Sequence, residues 1–173
     1  MKCLASTPRF QNKKMKFDIT NNAFEAVLVT TAYVLITQFK MSVDTTKRLL
    51  EKIEYHAGIM GDKEETISFQ DYKDILKEEY GFELDLSRVN VEEPKSKGIA
   101  FKSVSLKNSV DYVLTLVAYL LLDKVGLKRE RVQTIMKRIM FYSNAGIKNE
   151  AEIETMKETL TTQYDCHFGF KRR

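Results

Sequence analysis

One stretch of the sequence occurs twice. Residues 24–55 read FEAVLVTTAYVLITQFKMSVDTTKRLLEKIEY, and residues 110–141 read VDYVLTLVAYLLLDKVGLKRERVQTIMKRIMF. With a shift of 86 positions, six of the 32 aligned positions are identical, where chance would give about two. The identical pairs are Val27/Val113, Leu28/Leu114, Ala32/Ala118, Tyr33/Tyr119, Leu35/Leu121 and Ile53/Ile139. Because self-similarity at a fixed spacing constrains architecture, the sequence predicts two copies of one structural unit.

Both copies begin with signals of a helix. Asn22 and Glu25 form a capping-box-like pair, and Asn108 and Asp111 fall in register with that pair. The apolar run AVLVTTAYVLI has the β-branched composition of a buried strand, but its counterpart YVLTLVAYLLL is rich in leucine. Since two copies of one unit must share a conformation, the sequence predicts helices. These helices are expected over 22–39 and 109–125, as the most buried elements, packed against each other.

Each copy continues as helix, turn, helix, loop and helix. In the first copy the second helix is predicted over about Asp44–Ala57, a loop over Gly58–Glu65 and a third helix over Ser68–Tyr80. The second copy turns at Gly126, a residue suited to ending a helix. A two-residue deletion then brings Ile153, Met156, Leu160 and Tyr164 into step with Phe69, Tyr72, Leu76 and Tyr80.

The predicted fold class is therefore all-α. It consists of internally duplicated helix-turn-helix-loop-helix units, packed as a pseudo-twofold helical body that mimics a homodimer within one chain. Short paired strands in the linkers are an alternative, because Val89, Val91, Ile99, Phe101 and Val104 stand in polar surroundings around Pro94–Gly98. The predicted organisation is a flexible basic leader (1–14), acidic repeat 1 (15–88), a linker (89–108), basic repeat 2 (109–168) and a basic tail (169–173).

Composition excludes several classes of protein. The longest apolar runs, Ala26–Ile36 and Val113–Leu122, are shorter than the ~20 residues that a membrane-spanning helix needs. Cys3 and Cys166 form neither a C-x-x-C pair nor a disulfide framework, and no apolar segment of a secretory signal follows the basic leader. A cytoplasmic protein without membrane contact is therefore expected. No phosphate-binding glycine motif is present, and the sequence predicts no cofactor.

The two copies differ in charge. Residues 21–88 contain eight Lys/Arg and thirteen Asp/Glu, a net charge of −5, whereas residues 109–173 contain eleven and eight, a net charge of +3. The basic excess of repeat 2 is concentrated in Lys124, Lys128, Arg129, Arg131, Lys137 and Arg138. Repeat 1 has Ser42, Thr45 and Lys52 where repeat 2 has Lys128, Arg131 and Arg138, so the scaffold does not require this charge. These six residues are the predicted partner-binding site, for an acidic protein surface or for nucleic-acid phosphate.

Other interpretations of these residues need no binding partner or catalytic site. The basic residues also fit a solvated helix face, or an intramolecular match to the acidic copy. The helix-turn-helix spacing fits a DNA reader, but only Gln133 on the second helix is suited to reading bases. The acidic row Asp71, Asp74 and Glu78 is not kept in the second copy, which favours a solvated face over a metal site. His56 and His167 have no neighbouring pattern for zinc or for nucleophilic catalysis.

Two segments resemble a group of small uncharacterised helical proteins from phages and mobile elements of low-GC Gram-positive bacteria. They are LLLDKVGLKRERVQTIMKRI in repeat 2 and ISFQDYKDILKEEYGFEL in repeat 1, the latter similar to the closing helix of that group. The sequence departs from the group at the turn. The group has a Lys-Phe-Gly-Phe-Gly-Lys-Lys-Arg-Leu-like stretch, whereas the turns here contain Phe39–Ser42 and Val125–Lys128. The resemblance implies a phage-like origin and an all-helical fold, and no reaction.

The sequence thus leads to a functional expectation. We expect a non-enzymatic phage-type binding protein. Such a protein would dock on a host protein or nucleoprotein complex, such as a defence complex, and modulate or inhibit that complex. The alternative is a nucleic-acid-binding regulator that uses the same basic helix.

Overall fold

All regular secondary structure in the described part of the chain is helical. The computed structural model describes residues 24–59, 69–89 and 97–167, and these ranges contain six helices and no strand. Helix α1 spans residues 24–38, and its last five residues, Val34–Gln38, are π-helical. The other helices are α2 (Val43–Ile59), α3 (Phe69–Glu78), α4 (Lys97–Asp123), α5 (Arg129–Lys148) and α6 (Glu150–Tyr164), with a 3₁₀ turn at Leu86–Arg88. The expectation of an all-α fold is confirmed for these residues.

Helices α1 and α4 form the core. From 26 to 36 every residue of α1 except Tyr33 is buried, and from 113 to 122 every residue of α4 except Tyr119 is buried. A helix that is apolar on all sides must lie inside the protein. The buried Thr31 hydroxyl is satisfied within its own helix, since it donates to the Val27 carbonyl at 2.7 Å. Strong burial of these two helices is confirmed in the described ranges, whereas their packing against each other stays a prediction.

Amphipathic helices cover both core helices. Helix α4 contacts α2, α3 and α5, while the π-helical end of α1 contacts α2 and α5. Helix α6 packs on α5 and also reaches α1. There the Lys157 ammonium lies 2.7 Å from the Glu25 carboxylate, and the Thr30 hydroxyl lies 3.9 Å from the Met156 sulfur. Each core helix is therefore contacted by three amphipathic helices.

Four helices end on a residue with positive φ. Lys40 (φ 54°) follows α1, Gly81 (φ 57°) follows α3, Gly126 (φ 70°) follows α4 and Asp165 (φ 51°) follows α6. In each case the next residue donates its amide to a carbonyl six positions back. An example is the 2.9 Å bond from the Met41 amide to the Leu35 carbonyl. This Schellman geometry satisfies carbonyls that the helix end would otherwise leave without donors.

Helix α4 begins earlier than the sequence predicts. A helix start near Asn108 was expected, with short strands as an alternative around Ile99, Phe101 and Val104, but α4 begins at Lys97 and all four positions are helical. The sequence offers no proline between Gly98 and Asn108 to stop the helix. Extending an existing helix costs little, and an interior asparagine costs only tenths of a kcal/mol. A capping residue therefore did not mark a boundary here.

Other expectations lie at the edges of the described ranges. Helix α2 continues to Ile59 rather than ending at Ala57, whereas α3 matches the predicted third helix within two residues. The leader 1–14, the capping residue Asn22, the tail 169–173 and most of the loop after Gly58 lie outside the described residues. Among the described helices, none is long and apolar enough to cross a membrane.

Candidate partner-binding site

Helix α5 carries most of the predicted site. One side of it is buried in the core, through Val132, Ile135, Met136, Ile139 and Met140. The other side, which includes Arg131, Lys137 and Arg138, is exposed. The spacing of apolar residues by three and four positions explains why α5 lies on the surface of the bundle with its basic residues outward.

Two of the six predicted residues are engaged within the chain. The Lys124 ammonium lies 2.6 Å from Oδ2 of Asp123, and the hydrogen bond from Lys124 is the largest cause of the lowered pKa of the Asp123 carboxyl. The Arg129 guanidinium donates from Nη1 to the Gly81 carbonyl at 3.2 Å, which ties the start of α5 to the end of α3. Lys124 and Arg129 therefore have partners within the chain.

The other four residues form what is called here the basic face: Lys128, Arg131, Lys137 and Arg138. All four are exposed, and none forms an ion pair with a carboxylate in the described ranges. At 100° per residue, Arg131 and Arg138 lie about 20° apart around the helix axis, on one edge of the exposed side. Lys137 lies about 100° from Arg138, toward the other edge. The structure thus brings the two arginines into one line, flanked by Lys137.

An exposed aromatic residue extends this face. The side chain of Phe141 is 65% exposed, one turn after Lys137 and Arg138, with its ring edge-on to Tyr142 at a centroid distance of 5.3 Å. Phe141 is not among the six residues predicted for the site, although its spacing of three and four from two basic residues indicates a shared face. Tyr55 on α2 is also 65% exposed.

Two depressions border α5. A cleft of about 420 Å³ lies between the end of α3 and the start of α5, lined by Lys77, Gly81, Phe82, Glu83, Arg129 and Gln133. Its Lys77 and Glu83 side chains are paired at 2.9 Å. A groove of about 180 Å³ lies between α1, α5 and α6, lined by Tyr33, Tyr142, Glu152, Thr155, Met156 and Thr159. Gln133, the predicted base reader, thus faces the polar cleft.

A second polar cluster joins α2, α3 and α4. The Tyr72 hydroxyl lies 2.8 Å from Nδ1 of His56, and the Tyr72 ring packs against Tyr119 at 5.1 Å. The Tyr112 hydroxyl donates to the His56 carbonyl at 3.1 Å. Burial lowers the pKa of His56 and raises the pKa of Tyr112 to about 12. Sequence reasoning missed this cluster, because its members come from three separate helices.

The acidic row lies on the exposed side of α3. Asp71, Asp74 and Glu78 are exposed, and Asp74 accepts a hydrogen bond from the Gln70 amide at 2.8 Å. Over the described ranges, no three His, Cys, Asp or Glu side chains cluster as metal ligands would. His167 lies 3.0 Å from the Asp165 carboxylate on the surface.

The described residues are the basis for any proposal about function. No family model, curated protein or solved structure matches the chain.

Proposed function

We propose that the chain is a non-enzymatic phage-type binding protein. It docks on a macromolecular complex of a host bacterium through the basic face of α5, and it modulates or inhibits that complex. The observation that carries this proposal is a cluster of outward-facing cations beside an exposed phenylalanine. All four side chains lie outside the core: Arg131, Lys137, Arg138 and Phe141. The three cations among them form no ion pair with a carboxylate in the described ranges. Arginine beside an exposed aromatic ring is the composition of energetic centres in protein interfaces.

The fold does not need this charge. With the shift of 86 positions, Arg131, Lys137 and Arg138 correspond to Thr45, Glu51 and Lys52 on α2. The α2 counterparts carry a net charge of zero, whereas the α5 residues carry +3. A face that is charged in only one of two similar settings has a role other than folding, and electrostatic complementarity to an acidic protein surface is that role.

We also infer that the chain is an internal duplication, and the helix ends support it. Lys40 and Gly126 lie 86 positions apart, and each ends its helix with positive φ. Their surrounding hydrogen bonds correspond as well. Phe39 donates to Val34 at 3.2 Å as Val125 donates to Leu120 at 3.1 Å, and Met41 donates to Leu35 as Leu127 donates to Leu121. Gly81 and Asp165, which lie 84 positions apart, end the third helix of each unit in the same way.

The packing supports a pseudo-twofold relation. Helix α3 packs on α4, and its counterpart α6 reaches α1. Helix α2 contacts both α1 and α4, as does α5. The exposed aromatic residues correspond too, since Tyr55 and Phe141 lie 86 positions apart and are equally exposed. In the proposed duplication the closing helix of each unit contacts the apolar helix of the other unit, which supports a pseudo-dimer within one chain.

Nucleic acid is the second candidate partner, and the exposure of Phe141 favours it. A ring beside three cations is able to stack on an unpaired base while the cations neutralise phosphates. A binder of this kind should retard bare single-stranded or duplex nucleic acid at about 0.15 M salt. The logarithm of its affinity should fall linearly with the logarithm of salt concentration.

An affinity pull-down with the full chain as bait tests the proposal. The lysate comes from a low-GC Gram-positive bacterium, as the resemblance suggests, and is divided into samples with and without nuclease. We expect the same host proteins in both samples, because docking on a protein surface does not require nucleic acid. Loss of every host protein after nuclease treatment, together with retention of bare nucleic acid at about 0.15 M salt, would favour the second candidate.

A further inference from the structure

The groove between α1, α5 and α6 has a filled counterpart elsewhere in the molecule. Its lining includes Tyr33 from α1, Tyr142 from α5 and Met156 from α6, and the rings of Tyr33 and Tyr142 meet edge-on at a centroid distance of 5.6 Å. With the shift of 86 positions, Tyr33 corresponds to Tyr119 and Tyr142 to His56; with the shift of 84, Met156 corresponds to Tyr72. Tyr72 is the ring that packs between Tyr119 and His56, at centroid distances of 5.1 Å and 5.9 Å.

The two sites differ in the residue of the closing helix and in the contact of the flanking rings. Tyr33 and Tyr142 meet each other, whereas Tyr119 and His56 each pack against Tyr72. In the first half of the chain, Tyr72 is 2% exposed, and its hydroxyl is hydrogen-bonded to His56. In the second half, a thioether occupies the position of that ring, and about 180 Å³ of space remains open to solvent beside two tyrosines. Methionine sulfur packs favourably against aromatic edges, so Met156 is a suitable floor for an incoming ring. An aromatic ring is therefore suited to the space beside this thioether and the two tyrosines.

The groove is continuous with the basic face. Tyr142 lies four positions after Arg138, about 40° further around α5 and about 6 Å further along its axis. Relative to Arg131, Tyr142 is offset by about 20°. The two arginines and the tyrosine therefore form one stripe, which ends at the mouth of the groove.

We propose that this groove receives an aromatic side chain from an acidic segment of the partner protein. This inference rests on the proposed function, because it assigns the partner's acidic residues to Arg131 and Arg138 and its aromatic anchor to the space beside Tyr142. The anchor ring packs over the Met156 thioether, beside the edge-on pair of Tyr33 and Tyr142. Glu152 on the groove wall accepts a hydrogen bond from a phenol or an indole, so tyrosine and tryptophan fit better than phenylalanine.

The charge around the groove favours a peptide over a nucleic-acid base. Glu152 of α6 is part of the groove lining, and its side chain is acidic. A base in the groove would bring its phosphates close to this carboxylate. A peptide with its acidic residues on the α5 side only avoids that repulsion.

The test uses two synthetic capped peptides. One contains three glutamates followed by a tyrosine within a few residues, and the other has alanine in place of the tyrosine. Burial of the ring should make the tyrosine peptide bind the full chain about tenfold more tightly than the alanine peptide. Nuclear magnetic resonance with labelled methionine methyl groups should show the Met156 signal shifting with the tyrosine peptide alone.

Two variants close the groove in different ways. Met156→Tyr fills it as Tyr72 fills the counterpart, and Thr159→Trp covers its mouth from the surface in case the first variant fails to fold. Thr162→Trp is the matched control, because Thr162 is exposed, lies outside the groove lining and, like Thr159, donates its hydroxyl to the carbonyl four residues back. We expect either groove variant to reduce the affinity for the tyrosine peptide to that for the alanine peptide, and the control to leave it unchanged.

The outcomes separate this inference from the proposed function. Equal binding of the two peptides, or full binding of the tyrosine peptide by the groove variants, would show that the groove does not receive the aromatic side chain. If Arg138→Glu still weakened the binding of both peptides in that case, only the proposal about the basic face would hold. Preference for the tyrosine peptide that is insensitive to Arg138→Glu would instead keep the groove and overturn the basic face. A Met156 signal that shifts with an oligothymidine and with neither peptide would assign the groove to nucleic acid.

Discussion

At the scale of single residues, α1 and α4 end in the same backbone conformation but on different residues. Both helices end in the left-handed region, at Lys40 and at Gly126. Glycine adopts that region without a steric penalty, whereas a residue with a Cβ atom does so at a cost of about 1 kcal/mol. At Gly126 no heavy atom lies within 4 Å of where a Cβ would stand, so any cost there comes from the backbone.

Reciprocal substitutions should therefore have opposite signs. We expect Lys40→Gly to raise the free energy of unfolding by about 0.5–1 kcal/mol, and Gly126→Ala to lower it by about 1 kcal/mol. Lys40→Ala is the matched control, since it removes the long side chain but keeps the Cβ, and it should change little. Urea denaturation measures all three. A stabilising Gly126→Ala would contradict the backbone argument.

His56 makes stability depend on pH. Its pKa in the folded protein is lowered by burial and, to a lesser extent, by Lys124 and Lys52. The unfolded chain therefore binds a proton at His56 more readily than the folded chain. The stability that a neutral His56 provides is complete above the unfolded pKa and decreases as the pH falls through 6.5 toward the folded pKa.

A His56→Gln variant isolates this effect from the carboxylates. Urea unfolding from about pH 7.5 to about pH 5 should show a loss of stability in the natural chain, part of which is absent in the variant. The groups around His56 are Lys52 and Tyr55 on α2, Tyr72 on α3, Tyr112 on α4 and Lys124 just after α4. Parallel pH profiles for the two proteins would show that His56 does not contribute.

At the scale of helices, the repeat in the sequence predicted more than any single motif did. The strand-like composition of 26–36 was resolved by its leucine-rich counterpart, and the structure has helices at both places. Local signals were less reliable. Asn108 has the chemistry of a cap, yet it lies inside α4, because a cap signal does not stop a helix that can propagate from upstream.

The burial of α1 and α4 leads to a prediction about stability. Leu28 and Leu114 are fully buried at corresponding positions. Replacing either with alanine should lower the free energy of unfolding by roughly 2–5 kcal/mol, since the substitution removes apolar contacts and leaves a cavity. Thr134→Ala on the exposed side of α5 should stay within about 0.5 kcal/mol. Chemical denaturation of the three variants would contradict the described core if either leucine variant cost no more than the threonine variant.

At the scale of the whole molecule, the candidate site was only partly predictable. The difference in charge between the copies identified α5, and the helical period placed Arg131 beside Arg138. The contact of Arg129 was not predictable, because its partner, the Gly81 carbonyl, lies at the end of α3. The groove beside Tyr142 was not predictable either, since it exists only where α1, α5 and α6 meet.

The basic face of α5 is the central claim, and one comparison of affinities tests it most directly. The host protein recovered by pull-down is titrated at about 0.15 M salt against three proteins. These are the natural chain, the double variant Arg131→Glu and Arg138→Glu, and Arg48→Glu. Arg48 is the matched control, because it is an exposed arginine on α2. Reversing both arginines of the stripe should weaken binding by at least about 100-fold. Arg48→Glu should change it by no more than about threefold. Equal affinity of the double variant and the natural chain would contradict the account.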